Sequence, residues 1–165
     1  MQAEHAELVW ASLQRLGVRD RDLEDLMQEV FVVVHHRLDS FDPTRSMPRW
    51  LFGICRRVAA AHRRRAYTRR EEPREGAGEG EIEEAPDPEQ TAEARQMREQ
   101  MERVLGDLKP ELRVVLVMFE VEDLPCEAIA EELGIPVGTV YSRLHNARKA
   151  FERALSRRRA RGGVL

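Results

Sequence analysis

An acidic stretch without a hydrophobic pattern divides the chain, and it limits what the remaining residues can fold into. Residues 67–91 read YTRREEPREGAGEGEIEEAPDPEQT, in which Ile82 is the single large aliphatic side chain. Such a composition buries too little apolar surface to offset the entropy lost on ordering. We therefore predict a flexible acidic linker over 67–92, which joins two small domains at 1–66 and 93–158; a basic tail, 159–165, follows.

On both sides of the linker, apolar residues recur at three- and four-residue spacing, as in Leu23, Leu26, Met27, Val30, Phe31, Val34 and Leu38. No segment shows the sustained alternation that is typical of strands, and aromatic residues make up 5% of the chain. The predicted fold class is all-α, with two small helical domains. Asp22 is the expected N-cap of the second helix, and a third helix should begin near Pro48.

Several functional classes lack support in the sequence. The apolar runs are much shorter than the roughly 20 residues that span a bilayer, and no basic and apolar leader is present. We expect a soluble, cytoplasmic protein without membrane insertion. Cys55 and Cys126 belong to no CxxC pair and should be buried, reduced thiols. His35, His36 and Asp39 fail to make a metal site, because adjacent helical residues point about 100° apart. No cofactor, metal or enzymatic activity is expected.

The net charge of −3 averages over very unequal segments. The formal charge is +4 for residues 1–70, −8 for 71–104, −6 for 105–132 and +7 for 133–165. Two basic zones therefore lie at opposite ends of the chain, and these are the places where a polyanion could bind.

The third helix is predicted to have one apolar and one cationic face. The apolar residues of this helix, which fall within one arc at about 100° per residue, are Trp50, Leu51, Ile54, Val58 and Ala61. The opposite arc forms what we term the arginine ridge, which consists of Arg49, Arg56, Arg57, Arg63 and Arg64. The ridge has no interleaved Glu for i,i+4 pairs. The sequence leaves two interpretations of the ridge open: a face that is only solvated, and a face that binds phosphates.

The stretch EELGIPVGTVYSRLHNARKAF, residues 131–151, has helix-turn-helix spacing. Gly134 permits a left-handed turn, and Pro136 suits the first turn of the next helix. In that helix the apolar residues Val140, Leu144, Ala147 and Phe151 share one arc and should face a core. The outward side chains favour DNA binding, because Ser and Asn can read base edges while Arg and Lys neutralise phosphates. An ordinary helical hairpin is the alternative.

Two stretches then resemble one protein family. Residues 22–65, DLEDLMQEVFVVVHHRLDSFDPTRSMPRWLFGICRRVAAAHRRR, resemble region 2 of bacterial sigma factors of the extracytoplasmic-function group. Residues 105–151, LGDLKPELRVVLVMFEVEDLPCEAIAEELGIPVGTVYSRLHNARKAF, are similar to region 4 of the same group. The resemblance implies an alternative sigma factor that binds core RNA polymerase and directs promoter-specific transcription initiation. It also implies an anti-sigma factor as a partner and a monomer when the protein is free.

The resemblance assigns site residues to three groups. In the segment DLMQEVF, Asp25, Gln28 and Glu29 are the expected polymerase contacts. The loop from Ser40 to Pro48 should bind a flipped base of the melted minus-ten element. The expected minus-ten contacts are Ser40, Phe41, Asp42, Arg45, Arg49, Trp50, Arg56, Arg57, Arg63 and Arg64. The expected contacts to the double-stranded minus-thirty-five element are Thr139, Tyr141, Ser142, Arg143, His145, Asn146, Arg148 and Lys149.

The sequence departs from the family pattern at three places. Arg57 and Ala61 stand where relatives often have Asn and Asp, and Tyr141 and Asn146 stand where they commonly have Arg or Lys. These positions are expected to alter promoter readout. The first helix, which contains HAELVW, is shorter than is usual in the family, so we expect either a misplaced start or a reduced helix.

Two other kinds of protein fit parts of the pattern. One is a sigma-like adaptor that binds polymerase without initiating transcription. The other is an ordinary helix-turn-helix regulator whose N-terminal domain dimerises. Promoter-dependent transcription separates both from a sigma factor.

Overall fold

The computed structural model describes residues 2–70 and 91–161. In these ranges the chain forms α-helices and one short 3-10 turn, with no strand, which confirms the predicted all-α class. It separates into two compact units, one built mainly from the helices of residues 2–70 and the other from those of 91–161. Among the helices of these ranges, none is both long enough and apolar enough to span a membrane.

The first unit contains α1 (Gln2–Arg15), α2 (Asp20–Arg37), a 3-10 turn (Leu38–Ser40) and α3 (Met47–Arg70). Helices α2 and α3 pack against each other. The side chains that are buried in this unit come from all three helices and follow the helical period: Val9, Leu13, Leu23, Leu26, Val30, Leu51, Ile54, Cys55 and Val58. The apolar arc predicted for the third helix therefore faces the core, apart from Trp50 and Ala61, which are half-buried.

The helix boundaries differ from the expectations in two details. Helix α2 begins at Asp20 and its N-cap is Arg19, so the prediction of Asp22 as the N-cap is wrong. Asp22 lies in the first turn instead, where a carboxylate is favoured by the helix dipole. Helix α3 continues to Arg70, beyond the predicted domain end at 66. The linker predicted over 67–92 otherwise lies mostly outside the described residues.

The second unit contains α4 (Ala92–Gly106), α5 (Pro110–Glu120), α6 (Cys126–Leu133) and α7 (Val137–Ala160). Helix α7 packs against α4, α5 and α6. The arc predicted to face the core is confirmed for Val140, Leu144 and Ala147, which are all buried, while Phe151 is half-buried. Cys55 in α3 and Cys126 in α6 are buried free thiols, as expected. Residues 162–165 of the predicted basic tail lie outside the described residues.

A buried arginine organises the turn between α4 and α5. In this turn the Arg113 guanidinium donates hydrogen bonds to main-chain carbonyl oxygens, from Nε to Leu105 at 2.7 Å and from Nη2 to Gly106 and Leu108 at 2.9 Å each. The last carbonyls of a helix have no partner within the helix, and a cation there also complements the helix dipole. Arg113 therefore fixes how α5 leaves the end of α4.

We expect Arg113→Met to destabilise the second unit by about 3 kcal/mol, because hydrogen bonds from a charged donor are lost while most of the side-chain volume is kept. Both tryptophans, Trp10 and Trp50, lie in the first unit, so fluorescence does not report on this change. Hydrogen exchange of the α5 amides in the full-length protein is the suitable measurement.

The matched control for this prediction is Arg95→Ala, on an exposed position of α4, which should change the exchange free energy by less than about 0.5 kcal/mol. Equal protection of the α5 amides in Arg113→Met and the parent protein would contradict a structural role for this guanidinium.

Candidate nucleic-acid interface

The loop between the 3-10 turn and α3 is held by its own side chains. Asp42 Oδ1 accepts hydrogen bonds from the Thr44 backbone N at 3.0 Å and from Thr44 Oγ1 at 2.7 Å. The Arg45 N–H donates to the Asp42 carbonyl at 3.0 Å, which closes the turn. The hydrogen bond from the Thr44 hydroxyl lowers the pKa of the exposed Asp42 carboxyl below its ordinary value. The hydrogen bond from the Thr44 amide has the next largest effect, in the same direction. The loop is therefore ordered although its polar side chains face solvent.

Two aromatic rings meet where this loop joins α3. The ring centroids of Phe41 and Trp50 are 5.0 Å apart and the rings are tilted by 53°. Both residues are half-buried, so each keeps part of its surface accessible to solvent. Ser40 is exposed next to them, and its Oγ donates to the Arg37 carbonyl at 2.8 Å. Unstacked bases bind to partly exposed aromatic faces of this kind.

The arginine ridge lies along α3, directly after the loop. Arg49, Arg57, Arg63 and Arg64 are exposed, and Arg56 is half-buried. Arg57 Nε donates to the Gly53 carbonyl at 3.0 Å, which orients its side chain along the helix. The structure thus brings loop, aromatic pair and ridge together within the first unit, as a polyanion site would require.

Arg65, which the sequence did not assign to the ridge, has a different role. Its Nη2 donates to both carboxylate oxygens of Glu29 on α2, at 2.9 and 3.3 Å. Glu29 is one of the three residues of α2 that were expected to contact a protein partner, and it is half-buried, whereas Asp25 and Gln28 are exposed. Arg65 and Glu29 are 36 positions apart in the chain, so sequence spacing gave no sign of the pair.

The turn between α6 and α7 has the predicted geometry. Gly134 has φ 64° and ψ 37°, which is the left-handed conformation that glycine adopts without strain. The Ile135 N–H donates to the Ala130 carbonyl at 3.0 Å and the Gly134 N–H to the Glu131 carbonyl at 3.3 Å, which together form a Schellman motif. Pro136, however, is the N-cap of α7 and lies one position before the first turn, so the expectation that it would occupy that turn is wrong. The two helices therefore have the connection that a helix-turn-helix needs.

The outward face of α7 carries the polar residues expected there. Tyr141, Ser142, His145, Asn146, Arg148 and Lys149 are exposed, while Thr139 and Arg143 are half-buried. The Tyr141 hydroxyl donates to Glu127 Oε1 on α6 at 3.3 Å, and Ser142 Oγ donates to the Thr139 carbonyl at 3.0 Å. The negative charge of Glu127 and this hydrogen bond raise the pKa of Tyr141.

Arg148 is exposed but is also held within the second unit. Its Nε and Nη2 donate to Glu120 Oε1 at 3.1 and 2.8 Å, and its guanidinium carbon lies 5.2 Å from the centroid of the Phe119 ring. Glu120 and Phe119 end helix α5, so this contact braces α7 against α5. The carboxylates of Glu120 and Glu127 were not singled out from the sequence, because each meets its partner across a helix packing that spacing alone does not define.

The two histidines on α2 lie at its exposed C-terminal end. His35 and His36 are exposed and their ring centroids are 5.9 Å apart in an edge-on arrangement. Over residues 2–70 and 91–161, no three His, Cys, Asp or Glu side chains are placed to hold a metal ion together.

Family models match both units of the chain. The model described as sigma-70 region 2 matches residues 1–69, and the model described as sigma-70, region 4 matches residues 98–151. Together these matches cover the loop, the arginine ridge and the helix-turn-helix.

Curated relatives support the same assignment. The chain is 31% identical over 155 residues to the ECF RNA polymerase sigma factor SigE of Mycolicibacterium smegmatis, which covers 93% of this chain and 60% of that protein. It is 30% identical over 149 residues to the ECF RNA polymerase sigma-E factor of Escherichia coli K12, which covers 86% of this chain and 78% of that protein. The chain is therefore shorter than both relatives.

Solved structures share the fold. The sigma factor RpoE in complex with the anti-sigma factor NepR from Bartonella quintana has a TM-score of 0.67 at 20% identity, and covers 94% of both chains. CnrH in complex with the cytosolic domain of CnrY has a TM-score of 0.59 at 24% identity, and covers 94% of this chain and 84% of that chain. At these identities the likeness concerns the fold.

The Asp42 turn leads to a prediction about pH. A lowered pKa means that the folded loop favours the carboxylate, so its hydrogen bonds persist above the ordinary value of 3.8 and are lost as the pH falls through the folded value below it. We expect an NMR titration of the Asp42 carboxyl carbon in the full-length protein to have its midpoint below 3.8.

The isosteric variant Thr44→Val serves as the control for this titration. It removes the hydroxyl donor and keeps the backbone donor, so the midpoint should rise towards 3.8 without reaching it. An unchanged midpoint would show that the Thr44 hydroxyl does not order the loop.

Proposed function

Because this chain belongs to the sigma-70 family, in its extracytoplasmic-function group, we propose that it binds core RNA polymerase and directs it to a specific set of promoters. Members of this group are transcription initiation factors. The proposal places the protein in the cytoplasm, where polymerase and chromosomal DNA are found. The two units then have separate tasks on one promoter.

Two candidate nucleic-acid surfaces of different chemistry on one chain support this function most directly. The first unit offers cations and aromatic faces, which suit an unpaired strand. The second unit offers a helix-turn-helix, which suits the major groove of a duplex. A promoter presents both forms of DNA once it is melted, and an ordinary repressor or activator needs the second form alone.

The first unit is proposed to bind the melted minus-ten element. Removing a base from the stack costs a few kcal/mol, which new contacts must offset. Stacking on an aromatic side chain is worth about 1–3 kcal/mol per base, and Phe41 and Trp50 are placed for it. The exposed arginines Arg45, Arg49 and Arg57 would neutralise the phosphates that flank the base.

The second unit is proposed to bind the double-stranded minus-thirty-five element through α7. The N-terminal part of a recognition helix normally reaches the base edges. Ser142 and Asn146 are exposed there and are suited to read bases, while Arg143 and Lys149 are suited to contact phosphates. Arg148 is proposed to act partly through the position of α7, because its guanidinium already binds Glu120.

The exposed side of α2 is proposed to contact the polymerase. Asp25 and Gln28 point into solvent on this helix, and Glu29 lies next to them with its carboxylate fixed by Arg65. We also propose that an anti-sigma factor regulates this protein. When it is free of partners, this protein is proposed to be a monomer. Of the two structural relatives described above, one was solved with the anti-sigma factor NepR and the other with the cytosolic domain of CnrY.

Polymerase binding gives a first prediction for this function. We expect Asp25→Ala to weaken the affinity of the full-length protein for core polymerase about tenfold, the size of one lost charged contact. Glu24→Ala is the matched control, since Glu24 is an exposed carboxylate at the neighbouring position of the same helix. Equal loss in both variants would indicate a general effect of charge.

Promoter selection is tested by transcription from fragmented genomic DNA of the source organism, with the protein and bacterial core polymerase. We expect discrete start sites that share two upstream elements. Ser142→Ala or Asn146→Ala should lower initiation at these sites about tenfold, since a base contact contributes roughly 1–3 kcal/mol. Ser156→Ala, at an exposed position further along α7, should have no effect.

The outcomes of this assay separate the alternatives. Binding to core without specific starts would favour an adaptor, and absence of core binding would contradict a sigma factor. Tight duplex binding by the protein without polymerase would favour an ordinary helix-turn-helix regulator.

A further inference from the structure

Near its N-terminus, α7 exposes a hydroxyl that is paired with a carboxylate. Tyr141 lies on the outward face of α7, with 53% of its surface accessible, although it is one of the larger side chains of the second unit. Its hydroxyl is 3.3 Å from Oε1 of Glu127, which is exposed in the first turn of α6. The two residues therefore join the two helices of the helix-turn-helix on their solvent side.

The direction of this hydrogen bond follows from the two groups. An ionised carboxylate has no hydrogen to donate, whereas a phenol has one. The Tyr141 hydroxyl is consequently the donor, and the charge of Glu127 raises the pKa of Tyr141, so the phenol keeps its proton at neutral pH. With that proton directed to Glu127, the phenol oxygen offers only acceptor lone pairs to anything else that approaches.

The neighbouring hydroxyl has the same polarity. Ser142 Oγ donates its hydrogen to the Thr139 carbonyl at 3.0 Å and is also left with acceptor lone pairs. The second oxygen of Glu127 is a further acceptor. This part of the outward face of α7 therefore presents acceptors, although Arg143 and Lys149 make the helix cationic as a whole.

In the major groove, acceptors on a protein pair with exocyclic amino groups. Cytosine offers N4 and adenine offers N6, whereas guanine O6 and thymine O4 are themselves acceptors. A phosphate is an anion and would be repelled by Glu127, so the pair is better suited to a base edge than to the backbone. We propose that Glu127 and Tyr141 form a base-reading pair that selects cytosine or adenine at one position of the upstream promoter element.

Within this pair, Tyr141 contacts the base and Glu127 is a positioning residue that sets the polarity of the hydroxyl. The inference rests on the proposed function, because it requires α7 to lie in the major groove of a promoter. It adds to that function the chemical basis on which one base of the upstream element is selected.

The test uses the full-length protein with core polymerase and a promoter pool. One promoter found in the genomic assay is rebuilt with its upstream element randomised, and each transcript is sequenced together with a barcode that identifies its template. With the parent protein, we expect one position at which cytosine or adenine initiates about fivefold more often than guanine or thymine, the size of one hydrogen bond.

Tyr141→Phe removes the hydroxyl and keeps the ring, so it should abolish the preference at this position and leave the other positions unchanged. Glu127→Ala frees the hydroxyl to donate, so guanine or thymine should become acceptable there. Glu127→Gln keeps an oxygen that accepts from Tyr141 and should retain the preference. Glu131→Ala, one turn further along α6 and exposed, is the matched control and should leave the whole profile unchanged.

Several results would overturn the pair. A parent profile that favours guanine or thymine at every position affected by Tyr141→Phe contradicts it, as does a profile that Tyr141→Phe does not alter. Equal loss of initiation on all templates would show a structural role for the two residues. If the parent protein initiates nowhere in the pool, the proposed function itself fails and the pair fails with it, and this outcome is recognised before any variant is compared.

Discussion

The position of α7 depends on the buried guanidinium of Arg113. Its hydrogen bonds to the carbonyls of Leu105, Gly106 and Leu108 fix the turn from which α5 starts. Helix α5 in turn packs along α7. A small change in that turn would tilt α7 and shift every outward side chain of that helix. The same end of α4 is held a second time, because Arg158 of α7 donates to both Asp107 oxygens, at 3.0 and 2.9 Å.

Arginines in this protein therefore divide into two groups. Arg65 and Arg148 are each paired with a carboxylate of another helix, and Arg158 with the C-cap carboxylate of α4, so these arginines stabilise the packing of helices within their units. The exposed members of the ridge on α3 are suited to phosphates instead. Segment charges that are counted from the sequence do not separate these groups, so the basic zones have fewer cations available for DNA than their formal charge indicates.

Local patterns predicted the helices and much of the core. The spacing of Val140, Leu144 and Ala147 identified their buried face, and Gly134 identified the turn before α7. The N-cap at Asp22 was wrong because the N-cap of α2 is Arg19, three residues earlier, and an acidic residue suits the first turn as well as the cap. The ion pairs could not be predicted, because their partners are brought together by packing; Arg148 and Glu120, for example, are 28 residues apart.

The two proposed surfaces differ in how much order they need before DNA arrives. A base edge is read by hydrogen bonds, which depend on distance and direction, and in the proposed complex α7 would supply them from a rigid helix. Stacking on an aromatic face tolerates more variation in distance and direction, so the aromatic side chains can lie on a loop. The Asp42 turn nevertheless fixes part of that loop in the free protein. Less conformational entropy then remains to be lost on binding, and more of the stacking energy is available to offset the cost of removing a base from the duplex.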